Sequence, residues 1–562
     1  MAVLFGSPLL SACGLDAQGT EFSGASSGAG GAGGAGSVTG GGVGGAAGGG
    51  GGQGGGGGFL LECTPGDVVP CYTGPAGTLN MGACKGGMKT CNAAGNGFGP
   101  CLGETTPKAE NCGTLADEDC DGAMSCLCSP TWENVFGAAG NDNIGDIATD
   151  GAGNVYIAAR FNGQVALAKG GAHTSNGKVD VLVAKIASDG MVLWSKSFGG
   201  GENDRPFAIA VTATGDVVVG GLFEGIVSFG GSNVNAGPAG AAFLLRLNGD
   251  GSFANVALLD GNMSEYLLDV AVDAAGNAYA VGLFSGTFSA GGKSLTPVAG
   301  AGTEGFVAKV TPAAVVSWLS GVMGPGEQRV NGVAVDGSGN VYIAGAFENT
   351  IEIGAGVLVS QGDRDALLAQ LAGDTGIAKW SKGFGPAGPQ EAVRVEIAVT
   401  DVVVGGNFDG SITVGATTLS ENGNGNDIFV ARLLASGVTP PVWMKKFGST
   451  ADDRLEGMAI ELNTNVLLSG SYSGPIAFGG PSLPTKGGPD AFFARLSAAL
   501  GGHVCSRGFG GSGAQVGRAV AAGVGGAAFL AGEFGGTVDF GFGAHSTPNV
   551  SDLDAFLLKL NP

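Results

Sequence analysis

Beyond residue 130 the chain is a succession of short apolar runs, rich in Val, Ile, Phe and Tyr, each bounded by Gly, Asn or Asp. Runs of this kind, closed by turn residues, predict β-strands. The first four fall at 146–150, 154–161, 180–186 and 192–198, and segment 151–154 has the chemistry of a hairpin turn. Gly and Asn are expected to take the positive φ there.

The four-strand pattern recurs. A Trp four residues ahead of Phe-Gly marks the last strand at Trp132/Phe136, Trp194/Phe198, Trp380/Phe384 and Trp443/Phe447; Trp318 lacks the Phe, and Cys505/Phe509 replaces the Trp. A second motif, similar to Asp-Ala-Ala-Gly-Asn-x-Tyr-x-x-Gly-x-Phe, ends at Phe161, Phe223, Phe284, Phe347, Phe408, Tyr472 and Phe534, at spacings of 62, 61, 63, 61, 64 and 62. A third, similar to Asp-Ala-Phe-Val-Ala-Lys-Leu, ends at Ile186, Leu247, Val310, Leu371, Leu433, Leu496 and Leu560. Seven four-stranded copies predict an all-β fold, a seven-bladed β-propeller over 131–562. The array opens on a lone Trp/Phe-Gly strand, 131–136, and stops after a third strand, 554–560. The N-terminal strand is therefore expected to complete blade seven and close the ring, removing two exposed edges. The repeats resemble the SBBP family, which implies the same seven-bladed propeller.

Composition changes the picture ahead of residue 131. Glycine supplies 114 of 562 residues, without a three-residue period, and 14–58 is almost wholly Gly, Ala and Ser. Such a stretch cannot bury enough apolar surface to offset its ordering entropy, so it reads as a disordered tether with a reach of roughly 35–40 Å. Ahead of it, Leu10-Ser11-Ala12-Cys13 resembles the bacterial lipobox, which implies acylation of Cys13, although no Lys or Arg precedes the apolar run. The expected map is 1–13 lipoprotein signal, 14–58 linker, 59–130 cysteine-rich module and 131–562 propeller.

Nine cysteines crowd into the module: Cys63, Cys71, Cys84, Cys91, Cys101, Cys112, Cys120, Cys126 and Cys128. A small loop-rich segment of this kind needs disulfides in place of a core, and an oxidising compartment in which to form them. The odd count leaves one cysteine without a partner inside the module. Asp117, Asp119 and Asp121, closed by Gly122, alternate as calcium loops do; a solvated acidic turn is the competing account. The cysteine ladder with its Asp-Glu-Asp-Cys-Asp-Gly run resembles the metal-binding-motif module of bacterial secreted proteins, which implies a candidate calcium site and no other cofactor.

On the propeller, one position per copy stands before the first strand: Asp142, Asp204, Glu265, Gln328, Ala392, Asp453 and Gln515. All but Ala392 form a candidate polar ring at the channel mouth for a cation or small ligand. The long connections 162–179 and 409–426 are expected on the same face. Asp150, Asp273 and Asp336 read as turn caps, and the recurrent Trp as a wedge between blades. His173, His503 and His545 share no repeat position, and no blade is seen to break the pattern with its own inward acid, base or arginine. The net charge of −22, from 26 Lys+Arg against 48 Asp+Glu, argues against nucleic acid. The expectation is a monomeric, exported, lipid-anchored protein of the bacterial outer membrane or cell surface. It would bind a surface protein or glycan without catalysis, with calcium as an assisting ion. A lyase or glycosidase, or a dedicated metal binder, is the alternative.

Overall fold

A computed structural model describes residues 63–108, 117–118, 120 and 127–562, apart from 138–139, 168–170, 232, 237–238, 355, 387, 424, 438–439, 463 and 550. Cys13, the tether, Asp119 and Asp121 lie outside the described residues. Among the described residues no helix is long and apolar enough to cross a membrane.

Residues 63–66 and 91–98 belong to one compact unit, and 67–90 and 99–562 to a second. In the first, Cys63 bonds Cys91. In the second, Cys71 bonds Cys101 and Cys84 bonds Cys120, and the short strands Val68–Cys71 and Gly87–Thr90 pair antiparallel. Disulfides replace a core in this module, as its composition requires.

The rest of the second unit is a seven-bladed β-propeller. Each blade is an antiparallel four-stranded sheet in simple meander order, with inner strands Asn143–Thr149, Asp204–Val211, Glu265–Val272, Gln328–Val335, Gln390–Ala398, Asp453–Glu461 and Gln515–Ala522. The apolar faces do not make one common core. They make seven buried clusters, one between each pair of neighbouring blades, because every sheet buries both faces against its neighbours. That two-sided burial explains why the second and third strands read as continuous apolar runs rather than alternating ones.

The ring closes as expected. Pro130–Phe136 lies antiparallel to Asp554–Leu560, with Trp132 opposite Lys559 and Phe136 opposite Ala555. Blades seven and one also join through Thr149 Oγ1 donating to the Ala522 carbonyl at 2.7 Å and Asn143 Nδ2 to Glu533 Oε2 at 2.6 Å. The module's odd cysteine takes part. Cys128, just ahead of the closing strand, bonds Cys505 across 377 residues of sequence. Cys505 holds the place of the Trp in blade six, so a disulfide replaces the wedge between blades six and seven.

The Trp wedge proves to be a latch. Trp132, Trp194, Trp318, Trp380 and Trp443 each donate the indole N–H to a turn carbonyl of the next blade, on Ser188, Gly249, Gly373, Ala435 and Ala498, at 2.8–3.1 Å. Such a bond contributes on the order of 1 kcal/mol beyond the packing of the ring, and those of Trp318 and Trp443 are buried. Blade two has Asn255, which donates to Pro312 O at 2.9 Å instead.

Two expectations change. The connections 162–179 and 409–426 are not open loops. The second and third strands of blade one run on as Val155–Leu167 and Gly171–Ile186, and blade five adds a hairpin of Ser411–Val414 with Thr417–Ser420. In blade five Ile412 and Val414 alternate with polar residues, and in blade one buried Val165 and Leu167 flank exposed Ala166, so each extension buries one face. In the Asp150, Asp273 and Asp336 turns, the positive φ belongs to Gly153, Gly276 and Gly339, not to Asn. The Asp caps as expected: Asp150 Oδ1 accepts from Ala152 N and Asn154 N, and Oδ2 from Asn154 Nδ2 and the Tyr156 hydroxyl.

Candidate functional site

The polar ring does not sit at an open mouth. Asp142, Asp204, Glu265, Gln328, Asp453 and Gln515 are all buried, and all but Asp142 stand opposite the aromatic residue that ends the second motif. In blade five this place belongs to Gln390, opposite Phe408, and Ala392 lies two residues further on. The side chains stitch loops. Asp204 accepts from Gly200 N and Glu224 N, Asp453 from Ser449 N and Ser473 N, and Gln515 donates to Gly535 O.

Several also meet the head of the previous blade's third strand. Asp180 crowds Asp204, Asp453 crowds Asp427, and Asp142 crowds Asp554. At Gly385 the oxygens of Asp365 and Gln390 converge on the space a side chain would need. The Phe-Gly glycines follow from this. A methyl group at Gly137, Gly199, Gly448 or Gly510 would collide with the carboxylate of Asp554, Asp180, Asp427 or Asp490. Burial raises these acids: Asp204 to about 7, Glu265 to about 8, and Asp427, Asp490 and Asp554 to about 6. Buried and bonded to neighbouring loops, the ring residues join adjacent segments of the blades and do not face an open mouth.

The channel is lined by different residues, and a shared irregularity selects them. Every inner strand carries a β-bulge against its partner, between Ile144/Asp146, Pro206/Ala208, Leu267/Asp269, Val330/Gly332, Ala392/Arg394, Leu455/Gly457 and Gly517/Ala519. An extra residue at each bulge re-aims the chain. The residues so inserted, Gly145, Phe207, Leu268, Asn331, Val393, Glu456 and Arg518, all line one cavity of about 480 Å³.

That chamber is two-sided. Arg329, Arg394, Arg454, Arg518 and Arg160 come from blades four, five, six, seven and one in succession, and blades two and three supply Pro206, Phe207 and Leu268. Against five arginines the lining holds two carboxylates, Glu391 and Glu456. Arg329 reaches Glu391 at 3.5 Å, Arg518 reaches Glu456 at 3.3 Å and Glu533 at 2.6 Å, and Arg454 reaches Asp452 at 2.7 Å. Among the described residues Arg394 donates hydrogen bonds only to the backbone carbonyls of Asn331 and Val393. A cationic mouth of this kind does not suit the cation suggested by the ring.

Below it a second cavity of about 460 Å³ holds Asp146, Asp269 and Glu396 around Arg394. Asp146 Oδ2 accepts from Ile209 N of blade two, and Asp269 Oδ2 from Val333 N of blade four, both bridging blades. Burial raises Asp146 to about 7 against the pull of Arg394, and Glu396 to about 8 with Asp269 adding to the rise. The positions equivalent to Glu396 in the other six copies are alanines, from Ala148 to Ala521. Blade five therefore does break the repeat, with Glu391, Arg394 and Glu396. The sequence signal was there, in the row of alanines that Glu396 interrupts.

Of the calcium residues, only Asp117 is described: it is half-buried, and its carbonyl accepts from Ala83 N at 2.8 Å. Among the described residues no three His, Cys, Asp or Glu side chains converge as metal ligands would.

No family model and no curated protein matches the chain. Among solved structures it is similar to the quinohemoprotein alcohol dehydrogenase of Comamonas testosteroni, with a TM-score of 0.36 and 11% identity over 77% of this chain and 76% of that one. It is also similar to a protein of unknown function from Dyadobacter fermentans, with a TM-score of 0.32 and 14% identity over 65% and 98%. A third is a protein of unknown function from Bacteroides caccae, with a TM-score of 0.28 and 9% identity over 57% and 94%.

Proposed function

We propose that this chain is an exported, lipid-anchored propeller of the bacterial cell envelope that binds a ligand at the mouth of its channel without transforming it. The observation that carries the reading is the chamber of about 480 Å³, built from all seven blades at a place where bulges turn side chains inward. Its volume falls in the range of small-molecule pockets. The disulfides fit an oxidising compartment, and the SBBP-like repeats and lipobox-like Leu10–Cys13 segment support a tethered surface protein. Calcium, where it assists, belongs to Asp117, Asp119 and Asp121, and calorimetry of the full chain with calcium should show weak binding that is lost in Asp119→Ala.

Two measurements test the reading. Cys13→Ala should move the protein from the membrane fraction to the soluble one; unchanged partitioning into detergent refutes the anchor. In a ligand-observed NMR screen of neutral and charged fragments, hits should compete for one site and disappear in Leu268→Trp, which fills the chamber. Hits indifferent to that substitution would place binding elsewhere.

One observation favours a second reading, a lyase or glycosidase. Glu396 and Asp146, held at about 8 and about 7, keep protons near neutral pH, as a general acid does. Product formed from a bound glycan and abolished by Glu396→Gln would establish it over simple binding.

A further inference from the structure

Resting on the channel-mouth reading, we infer that the chamber takes a small organic acid, with its carboxylate on the arginine arc and its apolar body on Phe207 and Leu268. The chain as a whole is strongly acidic, at −22, yet this cavity gathers five arginines and two glutamates. The imbalance is local and survives the rim pairing. Arg329, Arg454 and Arg518 each have a carboxylate within ion-pair distance; among the described residues Arg160 and Arg394 have none that close, although Glu533 acts on Arg160 and Asp146, Asp269 and Glu396 act on Arg394 from further off. A guanidinium withdrawn from bulk water without an anion is costly, and one that gains an anion recovers that cost. Burial disfavours the charge on Arg160, Glu533 offsets part of that, and Arg205 and Arg518 crowd it, so a further anion there relieves the remaining repulsion. The planar fork of arginine matches a carboxylate with two parallel N–H···O bonds.

The opposite wall fixes the rest of the ligand. Two consecutive blades line the cavity with Pro206, Phe207 and Leu268 and no charged side chain, whereas each of the other five contributes an arginine. An inorganic anion would leave that wall wet. A molecule with one acidic end and one flat apolar side covers both arcs at once, and the volume accommodates a body of one or two rings.

The test uses the full chain and two isosteric probes, phthalate and phthalamide, with inorganic phosphate as a third. Phthalate should bind by calorimetry and be displaced from the chamber in Leu268→Trp. Arg160→Ala with Arg394→Ala should weaken it at least tenfold, while circular dichroism and the thermal midpoint show that the ring is still folded. Phe207→Ala should weaken phthalate but leave phosphate unchanged. Phthalamide binding as tightly as phthalate, with loss in Leu268→Trp, would overturn the acid but leave the channel-mouth reading standing. Phosphate binding as tightly as phthalate, with no effect of Phe207→Ala, would overturn the apolar contact. Failure of all three probes would overturn the inference, and if the neutral fragments of the wider screen also ignore Leu268→Trp, the channel-mouth reading falls with it.

Discussion

Deleting residues 1–137 should open the propeller, whereas deleting 1–127 should leave its melting almost unchanged. The closing strand Pro130–Phe136 supplies the fourth strand of blade seven, and without it Asp554–Leu560 is a bare edge. Phe136 is buried and Trp132 packs on the cluster between blades seven and one. Loss of a buried Phe or Trp side chain alone costs about 3–5 kcal/mol, before any ladder hydrogen bond is counted. Because each blade buries both faces against its neighbours, failure at one junction exposes the next. Deleting 1–128 separates the contributions. It keeps the strand but removes Cys128 and with it the bond to Cys505. A bridge across so long a loop typically contributes about 2–5 kcal/mol, so this form, like Cys505→Ala, should remain folded and melt several degrees lower. Equal midpoints and equal cooperativity for 138–562 and 128–562 in calorimetry would rule out closure by this strand.

Stability should also fall as pH rises from about 5 to 8, opposite to the behaviour of most carboxylate-paired proteins. Burial holds Asp204 and Asp146 at about 7, Glu265 and Glu396 at about 8, and Asp427, Asp490 and Asp554 at about 6. Unfolded, such groups titrate near 4. The folded state therefore binds their protons more tightly. Its advantage is whole below about pH 4 and is lost as pH climbs through the folded values, by up to ~1.4 kcal/mol per unit for each group. The turn caps act in the other direction. Burial opposes ionisation of Asp150, Asp273 and Asp336, yet the hydrogen bonds of the turn keep each below its ordinary value, so their contribution is lost on acidification. The thermal midpoint should accordingly peak near pH 4, between the two sets, and be lower by several degrees at pH 8 than at pH 5. Asp204→Asn with Asp427→Asn should flatten the alkaline decline, while exposed Asp250→Asn should not. A midpoint that does not move between pH 5 and 8 would mean that the blade junctions hold no protons.

Much of this architecture was legible because it is repeated. Seven copies of one motif announced seven blades, and the missing last strand announced its replacement at 130–136. The Trp position and the Phe-Gly glycine could be recognised as structural from recurrence alone, although their partners, a turn carbonyl and a buried carboxylate, lie on other strands. The ring of Asp142, Asp204, Glu265, Gln328, Asp453 and Gln515 was found by the same recurrence, and the structure buries its side chains where an open channel mouth was expected. Recurrence marks what every blade needs, and what every blade needs is the fastening to its neighbour.

By itself, the order of residues determined the strands, their number, their closure and the staples of the module, because those follow from local turn chemistry and from the periodic placement of apolar side chains. Tertiary structure decided the site. The bulge in each inner strand shifts the register by one residue, and in a β-strand one residue is the difference between facing a neighbour and facing the channel. The arginines come from unlike repeat positions: Arg160 from a second strand, Arg329 and Arg454 ahead of a bulge, Arg518 at one and Arg394 just past one. An alignment of copies superimposes Arg329 and Arg454 but does not bring all five together. Only the closure of the ring does, by turning seven separate inner strands into the wall of a single cavity.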